Sequence, residues 1–210
     1  DLDGYPVIYY ALRAFEESDV DEIVLVTAPE DVAFCRKNIV EKYGFRKVCA
    51  VVGGGEERYL SVYEGLKATE AEYVLIHDGA RPLIDEESIR LCMESVAREK
   101  ACVLATPVKD TIKVIDTDGY AAQTPDRSML WAVQTPQCFE RVLLMRAYAR
   151  LFERLEAGTL CAPITDDAMM VEYATDTKVK LVQGDYRNIK ITTPEDLSVA
   201  STYLKNKILL

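Results

Sequence analysis

The stretch Tyr73–Pro82, Y-V-L-I-H-D-G-A-R-P, decides the fold class. Its apolar run, Tyr73 to Ile76, predicts a strand that is buried on both faces, as in a parallel sheet. Asp78 and Arg81 would then lie at the carboxyl end of this strand, where open α/β sheets bind ligands. An acid and an arginine at such an edge suit a metal-bound phosphate ligand, and a surface ion pair at a strand end is the alternative.

Apolar strand patterns and helical patterns alternate on both sides of this stretch. Strands are predicted at 22–28, 47–52, 101–108 and 179–182, and helices at 5–17, 29–43, 57–68, 85–100 and 140–156. Such alternation with short connections indicates βαβ units. The sequence therefore predicts a three-layer α/β fold with a mostly parallel sheet.

A hairpin signal interrupts the alternation after Lys109. Residues 111–115 and 120–123 flank the turn sequence D-T-D-G, which is typical of a β-hairpin. We predict one domain over residues 1–210 that carries an inserted β-arm at about 109–131. The three glycines Gly53 to Gly55 follow a predicted strand, and a tight turn and a ligand loop are both open for them. Neither the P-loop motif nor G-x-G-x-x-G occurs in the sequence.

Composition restricts the classes of partner. The net charge of −10 disfavours nucleic acid and anionic membranes, but it leaves a phosphorylated substrate open because exposed charges are screened beyond about 8 Å. No apolar run approaches the roughly 18 residues of a membrane span. The six cysteines are scattered, which predicts reduced thiols and a cytoplasmic protein. His77 is the sole histidine, so a His-rich zinc site is excluded.

Five segments occur together along nearly the whole chain. They are G-G-G-E-E-R-Y-L-S-V-Y-E-G-L from Gly53, H-D-G-A-R-P from His77, P-V-K-D-T-I-K from Pro107, D-R-S-M-L-W-A-V-Q-T-P-Q-C-F from Asp126, and T-D-D-A from Thr165 with N-I-K-I-T-T-P-E-D-L from Asn188. In this order they resemble the 2-C-methyl-D-erythritol 4-phosphate cytidylyltransferase family.

The resemblance implies a Rossmann-like nucleotidyltransferase fold whose β-arm swaps across a homodimer. It implies transfer of CMP from CTP to 2-C-methyl-D-erythritol 4-phosphate with Mg²⁺, forming 4-diphosphocytidyl-2-C-methyl-D-erythritol and pyrophosphate. The acceptor phosphate would attack the α-phosphorus of CTP in line. The family also has a first strand and a glycine-rich loop at a place before Asp1, so both are expected to be missing from the chain as given, through truncation or disorder.

The resemblance also assigns roles to single residues. Lys190 would stabilise the pentacoordinate phosphorus, whereas an exposed strand lysine is the alternative. Arg127 and Thr111 of the arm would hold the acceptor at the partner subunit's site, and arm-to-surface pairing is the alternative. Asp78 would lie near the ribose and the metal-bound triphosphate, with Gly79 beside it.

The remaining matches concern the acceptor and the base. Arg81, Thr135 and Thr165 would contact the acceptor, although Thr165 also suits a helix cap. The cytosine-reading segment would be Gly55, Glu56 and Ser61. Arg58 is either structural or a phosphate contact. Trp131 is interpreted as a packing anchor rather than a stacking platform, and Asp166-Asp167 as helix-start charge rather than part of a two-metal site.

Three other functions are weighed against this one. Ribitol-5-phosphate cytidylyltransferase shares the scaffold and the CTP chemistry. A non-catalytic dimeric relative without the nucleotide loop is the alternative from another class. A dinucleotide oxidoreductase fits poorly because the glycine fingerprint is absent.

Overall fold

The computed structural model describes residues 1–159 and 164–207. The helices are α1 Val7–Glu17, α2 Val32–Cys35, α3 Arg58–Lys67, α4 Glu86–Glu99, α5 Arg141–Glu156, α6 Asp167–Ala174 and α7 Pro194–Lys207. The strands are β1 Ile23–Thr27, β2 Val48–Gly53, β3 Tyr73–Ile76, β4 Ala101–Pro107, β5 Val114–Ile115, β6 Ala121–Gln123, β7 Trp131–Glu140 and β8 Lys180–Gln183. A 3₁₀ turn, Pro29–Asp31, leads into α2, which continues as the π-helical segment Arg36–Glu41.

The described strands form two sheets and a separate hairpin. β1 and β2 pair in parallel, and the larger sheet has the order β3-β7-β4-β8. β4 and β8 are parallel, whereas β7 runs antiparallel to both of its neighbours. The predicted α/β fold is confirmed, and the strand that the sequence did not reveal, β7, makes the larger sheet mixed.

Apolar side chains cover both faces of this sheet. Along β4, Val103 packs with α5 and α6 on one face, while Cys102 and Leu104 pack with α1 and α4 on the other. All three side chains are fully buried. Alternate residues of one strand thus enter two cores, which gives the three layers that the sequence predicts.

An apolar slot separates β1 from β3. Both strands line this cavity of about 1250 Å³, together with α1, α3 and α4. Among the described strands, β1 pairs only with β2 and β3 only with β7. At the carboxyl end of β3 the slot opens beside Asp78 and Arg58.

The hairpin β5–β6 lies on an exposed segment of chain. Every residue from 109 to 124 is exposed, and Gly119 closes the turn at φ +86°. Trp131 stands where this segment returns to the sheet, half-buried and opposite Pro107 of β4. In the described part of the chain, no helix has the length and apolar character needed to cross a membrane.

Candidate active site

Three connections meet at one edge of the molecule. The segment after β3 supplies Asp78 and Arg81, the glycine turn after β2 leads into Arg58 at the start of α3, and the connection after β8 supplies Lys190. Ion pairs join all of these side chains to the carboxylate of Asp78. Asp78, Arg81 and Lys190, which the resemblance assigns to one site, therefore lie next to one another.

Asp78 lies at the centre of the cluster. Its Oδ2 is 3.0 Å from Lys190 Nζ and 3.7 Å from Arg81 Nε, and its Oδ1 is 3.8 Å from Arg58 Nε. Burial alone raises the pKa of Asp78, but the hydrogen bond and charge of Lys190, followed by the charges of Arg58 and Arg81, bring it below its ordinary value. The group is therefore an anion at neutral pH.

A buried asparagine fixes the segment that carries Lys190. Asn188 donates through Nδ2 to Gln134 Oε1 at 3.1 Å and to the Thr135 carbonyl at 2.9 Å. The backbone carbonyl of Asn188 accepts a hydrogen bond from Arg81 Nη1 at 2.7 Å. Because Asn188 is only 1% exposed, these bonds hold the segment against β7 without competition from water.

A second set of hydrogen bonds holds the Asp78 segment. The backbone N–H of Asp78 donates to Thr135 Oγ1 at 3.1 Å, and this hydroxyl lies 3.0 Å from His77 Nδ1. His77 Nε2 lies 3.1 Å from the Arg81 carbonyl, which can only accept, so Nε2 carries the proton and Nδ1 accepts from Thr135. Desolvation lowers the pKa of His77 to about 4, so the ring is neutral at pH 7. Thr135, predicted to contact the acceptor, thus has two partners within the protein.

Replacing Thr135 with valine is expected to lower the free energy of unfolding by about 1–3 kcal/mol, because the Asp78 N–H and His77 Nδ1 lose their shared partner. Valine keeps the shape of threonine without its hydroxyl. Urea denaturation at pH 7 measures the effect. Thr135→Ser restores the hydroxyl and is the control, and equal urea midpoints for the valine variant and the unsubstituted chain would contradict the role given to this hydroxyl.

The glycine turn lies directly on the start of α3. A Cβ on Gly55 would stand 2.5 Å from Leu60 Cβ, and one on Gly54 would stand 2.5 Å from Ser61 Oγ. Ser61 Oγ donates to the Gly55 carbonyl at 3.2 Å. Glu56 is exposed. These close approaches explain why Gly54 and Gly55 carry no side chain. Gly55 and Ser61 line the slot, and Glu56 lies between them in the turn that joins β2 to α3.

Gly79 also lies in a close approach. A Cβ at this position would stand 3.1 Å from Ile8 Cδ1 of α1. The segment after β3 is therefore packed against α1, and a side chain at Gly79 would require the tip of Ile8 to shift.

The arm residues do not join the cluster within one chain. Arg127 is exposed and donates through Nη1 to the Lys109 carbonyl at 2.6 Å. Thr111 is exposed on the same segment. Among the described residues, no ion pair connects Arg127 with Asp78.

The start of α6 differs from the interpretation of the sequence. Asp166, rather than Thr165, caps the helix, since its Oδ1 accepts from Met169 N at 2.7 Å. The helix-cap alternative for Thr165 is therefore wrong. Thr165 is exposed, and its hydroxyl lies 3.5 Å from Met169 Sδ.

Asp167 is a charged residue of the site that sequence reasoning missed. It is fully buried, and its Oδ2 lies 2.7 Å from Arg58 Nη2. Burial raises the pKa of Asp167, and the guanidinium of Arg58 opposes the rise. This role could not be read from the sequence, because two adjacent acids at a helix start are explained by the helix cap alone. Within residues 1–159 and 164–207, no three or more acids, histidines and cysteines form a metal-binding group.

A three-layer α/β fold with cations gathered at its strand ends is consistent with the class of Rossmann-like nucleotidyltransferases, since open α/β sheets bind ligands at that edge. The sequence profile of one family within this class, 2-C-methyl-D-erythritol 4-phosphate cytidylyltransferase, matches residues 1–206. The chain belongs to this family.

Individual relatives agree with the family match. The 2-C-methyl-D-erythritol 4-phosphate cytidylyltransferase of Lachnospira eligens is 51% identical over 206 residues, covering 97% of this chain and 88% of that protein. The protein of the same name from Caldanaerobacter subterraneus subsp. tengcongensis is 47% identical over 205 residues, covering 96% of this chain and 87% of that protein.

Solved structures give the same result. The crystal structure of 4-diphosphocytidyl-2C-methyl-D-erythritol synthase from Anaerococcus prevotii superposes with a TM-score of 0.86 at 37% identity, covering 98% of this chain and 88% of that one. The crystal structure of 2-C-methyl-D-erythritol 4-phosphate cytidylyltransferase from Thermus thermophilus superposes with a TM-score of 0.76 at 27% identity, covering 98% of this chain and 91% of that one.

Proposed function

We propose that the chain transfers CMP from CTP to 2-C-methyl-D-erythritol 4-phosphate and releases pyrophosphate. The convergence of Lys190, Arg81 and Arg58 on the strand end at Asp78 carries the proposal. With Asp167 as the second carboxylate, three cations face two anions and leave a net charge of +1. In a chain whose net charge is −10, this local excess favours an anionic ligand.

The proposed reaction needs positioning and charge neutralisation rather than a covalent enzyme intermediate. The acceptor's phosphate oxygen attacks the α-phosphorus of CTP, and the bond to the leaving pyrophosphate breaks. Lys190, 45% exposed at the side chain, faces the site and stabilises the negative charge that builds on the phosphorus. Arg81, held by Asn188, orients the acceptor. Thr135 and Thr165 line the acceptor side, and Gly55, Glu56, Ser61 and Gly79 the nucleotide side.

One carboxylate of the site, Asp78, suits a Mg²⁺ ion whose other ligands would come from the triphosphate and water. Mg²⁺ prefers oxygen ligands and is commonly held by one or two carboxylates together with substrate phosphates. Asp78 supplies one such carboxylate, and its lowered pKa keeps it ionised. When bound, the cation would neutralise charge on the phosphates.

The proposal includes a homodimer in which residues 1–210 form one domain with an arm at about 109–131. Support comes from the exposure of all residues 109–124, apolar Ile115 and Tyr120 among them, which suits burial against a second copy. Arg127 and Thr111 of one chain would then face the partner's site. The described cysteines are free thiols, which supports a reducing, cytoplasmic environment.

A pyrophosphate-release assay with CTP and Mg²⁺ tests this function. We expect release with 2-C-methyl-D-erythritol 4-phosphate and little with ribitol 5-phosphate, because the family match favours the first acceptor. Faster release with ribitol 5-phosphate would contradict the assignment of the acceptor. No release with either acceptor would favour a non-catalytic relative.

A further inference from the structure

Arg58 lies between two carboxylates that belong to different parts of the fold. Its Nη2 is 2.7 Å from Oδ2 of Asp167, at the start of α6, and its Nε is 3.8 Å from Oδ1 of Asp78, at the end of β3. The side chain is 37% exposed. One guanidinium therefore connects the buried end of a helix with the centre of the cationic cluster.

Asp167 is fixed in place independently of Arg58. Its backbone N–H and that of Ala168 both donate to Gln137 Oε1, at 2.9 and 3.0 Å, which ties the start of α6 to β7. The carboxylate is 0% exposed, and neither of its oxygens has a well-aligned hydrogen bond among the described residues. Arg58 is its one ion-pair partner in that part of the chain. A buried carboxylate of this kind strongly favours a cation held beside it.

The two oxygens of Asp78 are divided between cations with different tasks. Oδ1 faces Arg58, whereas Oδ2 faces Lys190 at 3.0 Å and Arg81 at 3.7 Å. Without Arg58, both oxygens would be free to turn towards Lys190. A tighter pair with Asp78 would cancel the charge of the lysine that is proposed to act on the phosphorus.

We propose that Arg58 is a positioning residue for cytidylyl transfer: anchored by Asp167, it faces Oδ1 of Asp78 and so limits the pairing of Lys190 to the other oxygen. The inference rests on the proposed function and deepens it. It gives Arg58 a third role beside the two that the sequence left open, because the guanidinium faces two carboxylates and would act through Asp78 rather than on the substrate.

A pair of variants separates positioning from stability. Arg58→Met leaves Asp167 buried without a cation, so we expect the Tm to fall by about 10 °C and kcat to fall about 10- to 100-fold. The double variant Arg58→Met/Asp167→Leu removes both charges, and its Tm should return to within about 3 °C of the unsubstituted chain, since apolar replacements of a buried pair are often neutral. Its kcat should stay low, because Asp78 still lacks Arg58.

The kinetic constants give the readout that a purely structural role would not change. We expect the loss in the double variant to fall on kcat, with the KM for CTP and for the acceptor each within about threefold of the unsubstituted values. Arg58→Lys, which keeps one charge but cannot span both carboxylates, should recover part of kcat. Arg90→Met is the matched control, because Arg90 forms its ion pairs on the exposed face of α4, and it should change neither Tm nor kcat.

The outcomes are distinct. Full kcat in the stable double variant would overturn the positioning role and leave Arg58–Asp167 as a structural pair, with the proposed function intact. A low Tm in the double variant equal to that of Arg58→Met would overturn the anchoring by Asp167. Absence of pyrophosphate release by the unsubstituted chain would overturn the proposed function, and this inference with it.

Discussion

Replacing Lys190 with alanine is expected to lower turnover by about 10²- to 10³-fold, the effect typical of removing one group that stabilises transition-state charge. Nζ of Lys190 lies 3.0 Å from Asp78, and nearly half of the side chain is exposed towards the site. Its loss leaves the negative charge on the transferring phosphoryl group without its nearest proposed cation. The measurement is steady-state pyrophosphate release with both substrates saturating.

The fold should tolerate this change. An ion pair with this exposure contributes little stability, about 0–1 kcal/mol, so the urea midpoint should barely move. Lys180→Ala is the matched control, because Lys180 is an exposed lysine on β8, the strand that leads into the same connection. Turnover of Lys190→Ala within threefold of the control would remove Lys190 from the mechanism.

Mixing two inactive chains is expected to restore activity if the arm of one subunit serves the site of its partner. In a dimer of an Arg127→Ala chain and a Lys190→Ala chain, one site has both intact residues and the other has neither. Equal mixing makes about half of the dimers mixed, so about one quarter of the unsubstituted turnover should return. Each variant alone should be at least about 100-fold impaired, because each lacks a cation at a phosphate.

The exposure of Arg127 is the reason to expect this exchange. Its guanidinium is bonded to the Lys109 carbonyl within its own arm and is not paired with any acid of the described chain. Lys113→Ala serves as the arm control, since Lys113 is an exposed cation of the same hairpin that bonds Thr124, and it should be active without a partner variant. Mixtures no more active than the separate variants, with dimer exchange verified by differently tagged chains, would place Arg127 outside the partner's site.

The elements that were predicted most accurately are those whose sequence patterns depend only on neighbouring residues. β3 was predicted with its observed bounds, because four apolar residues are followed directly by a polar turn. The predicted surroundings of this strand were wrong, since its residues are half-buried rather than buried on both faces and it pairs antiparallel with β7. The helix at Asp85 begins as the acidic pattern indicates, with Asp85 Oδ1 accepting from Ser88 N at 2.8 Å. Local hydrogen bonds and runs of apolar residues can be read without knowledge of distant partners.

β7 was missed because its buried polar residues break the apolar pattern. Gln134 and Gln137 are nearly fully buried, and Pro136 lies between them in a central strand, where proline is unusual. Each glutamine is satisfied at long range: Gln134 donates to the Asp185 carbonyl and Gln137 to Asp166. Such partners lie far away in the sequence, so the pattern of β7 resembles a loop until the fold is known.

The same reasoning explains which parts of the site were predicted. The rule that open α/β sheets bind ligands at the carboxyl ends of their strands points to Asp78 and Arg81 after β3. Lys190 was assigned through the resemblance alone, because it lies well beyond the end of β8 and outside any described strand. The pair of Arg58 and Asp167 follows no such rule, because a helix start at each residue already gives a sufficient local explanation. The ion pair between Arg58 and Asp167 forms only because the fold brings the starts of α3 and α6 together, and neither residue indicates it in the sequence.

Trp131 gives the molecule a built-in optical probe. It is the sole tryptophan of the sequence, so its fluorescence emission arises from one position, the junction at which the exposed segment returns to the sheet opposite Pro107. Because the ring is half-buried, its emission maximum is sensitive to any change in hydration at that junction. Docking of a second chain against the hairpin, or filling of the site, can therefore be followed in real time without attaching a dye.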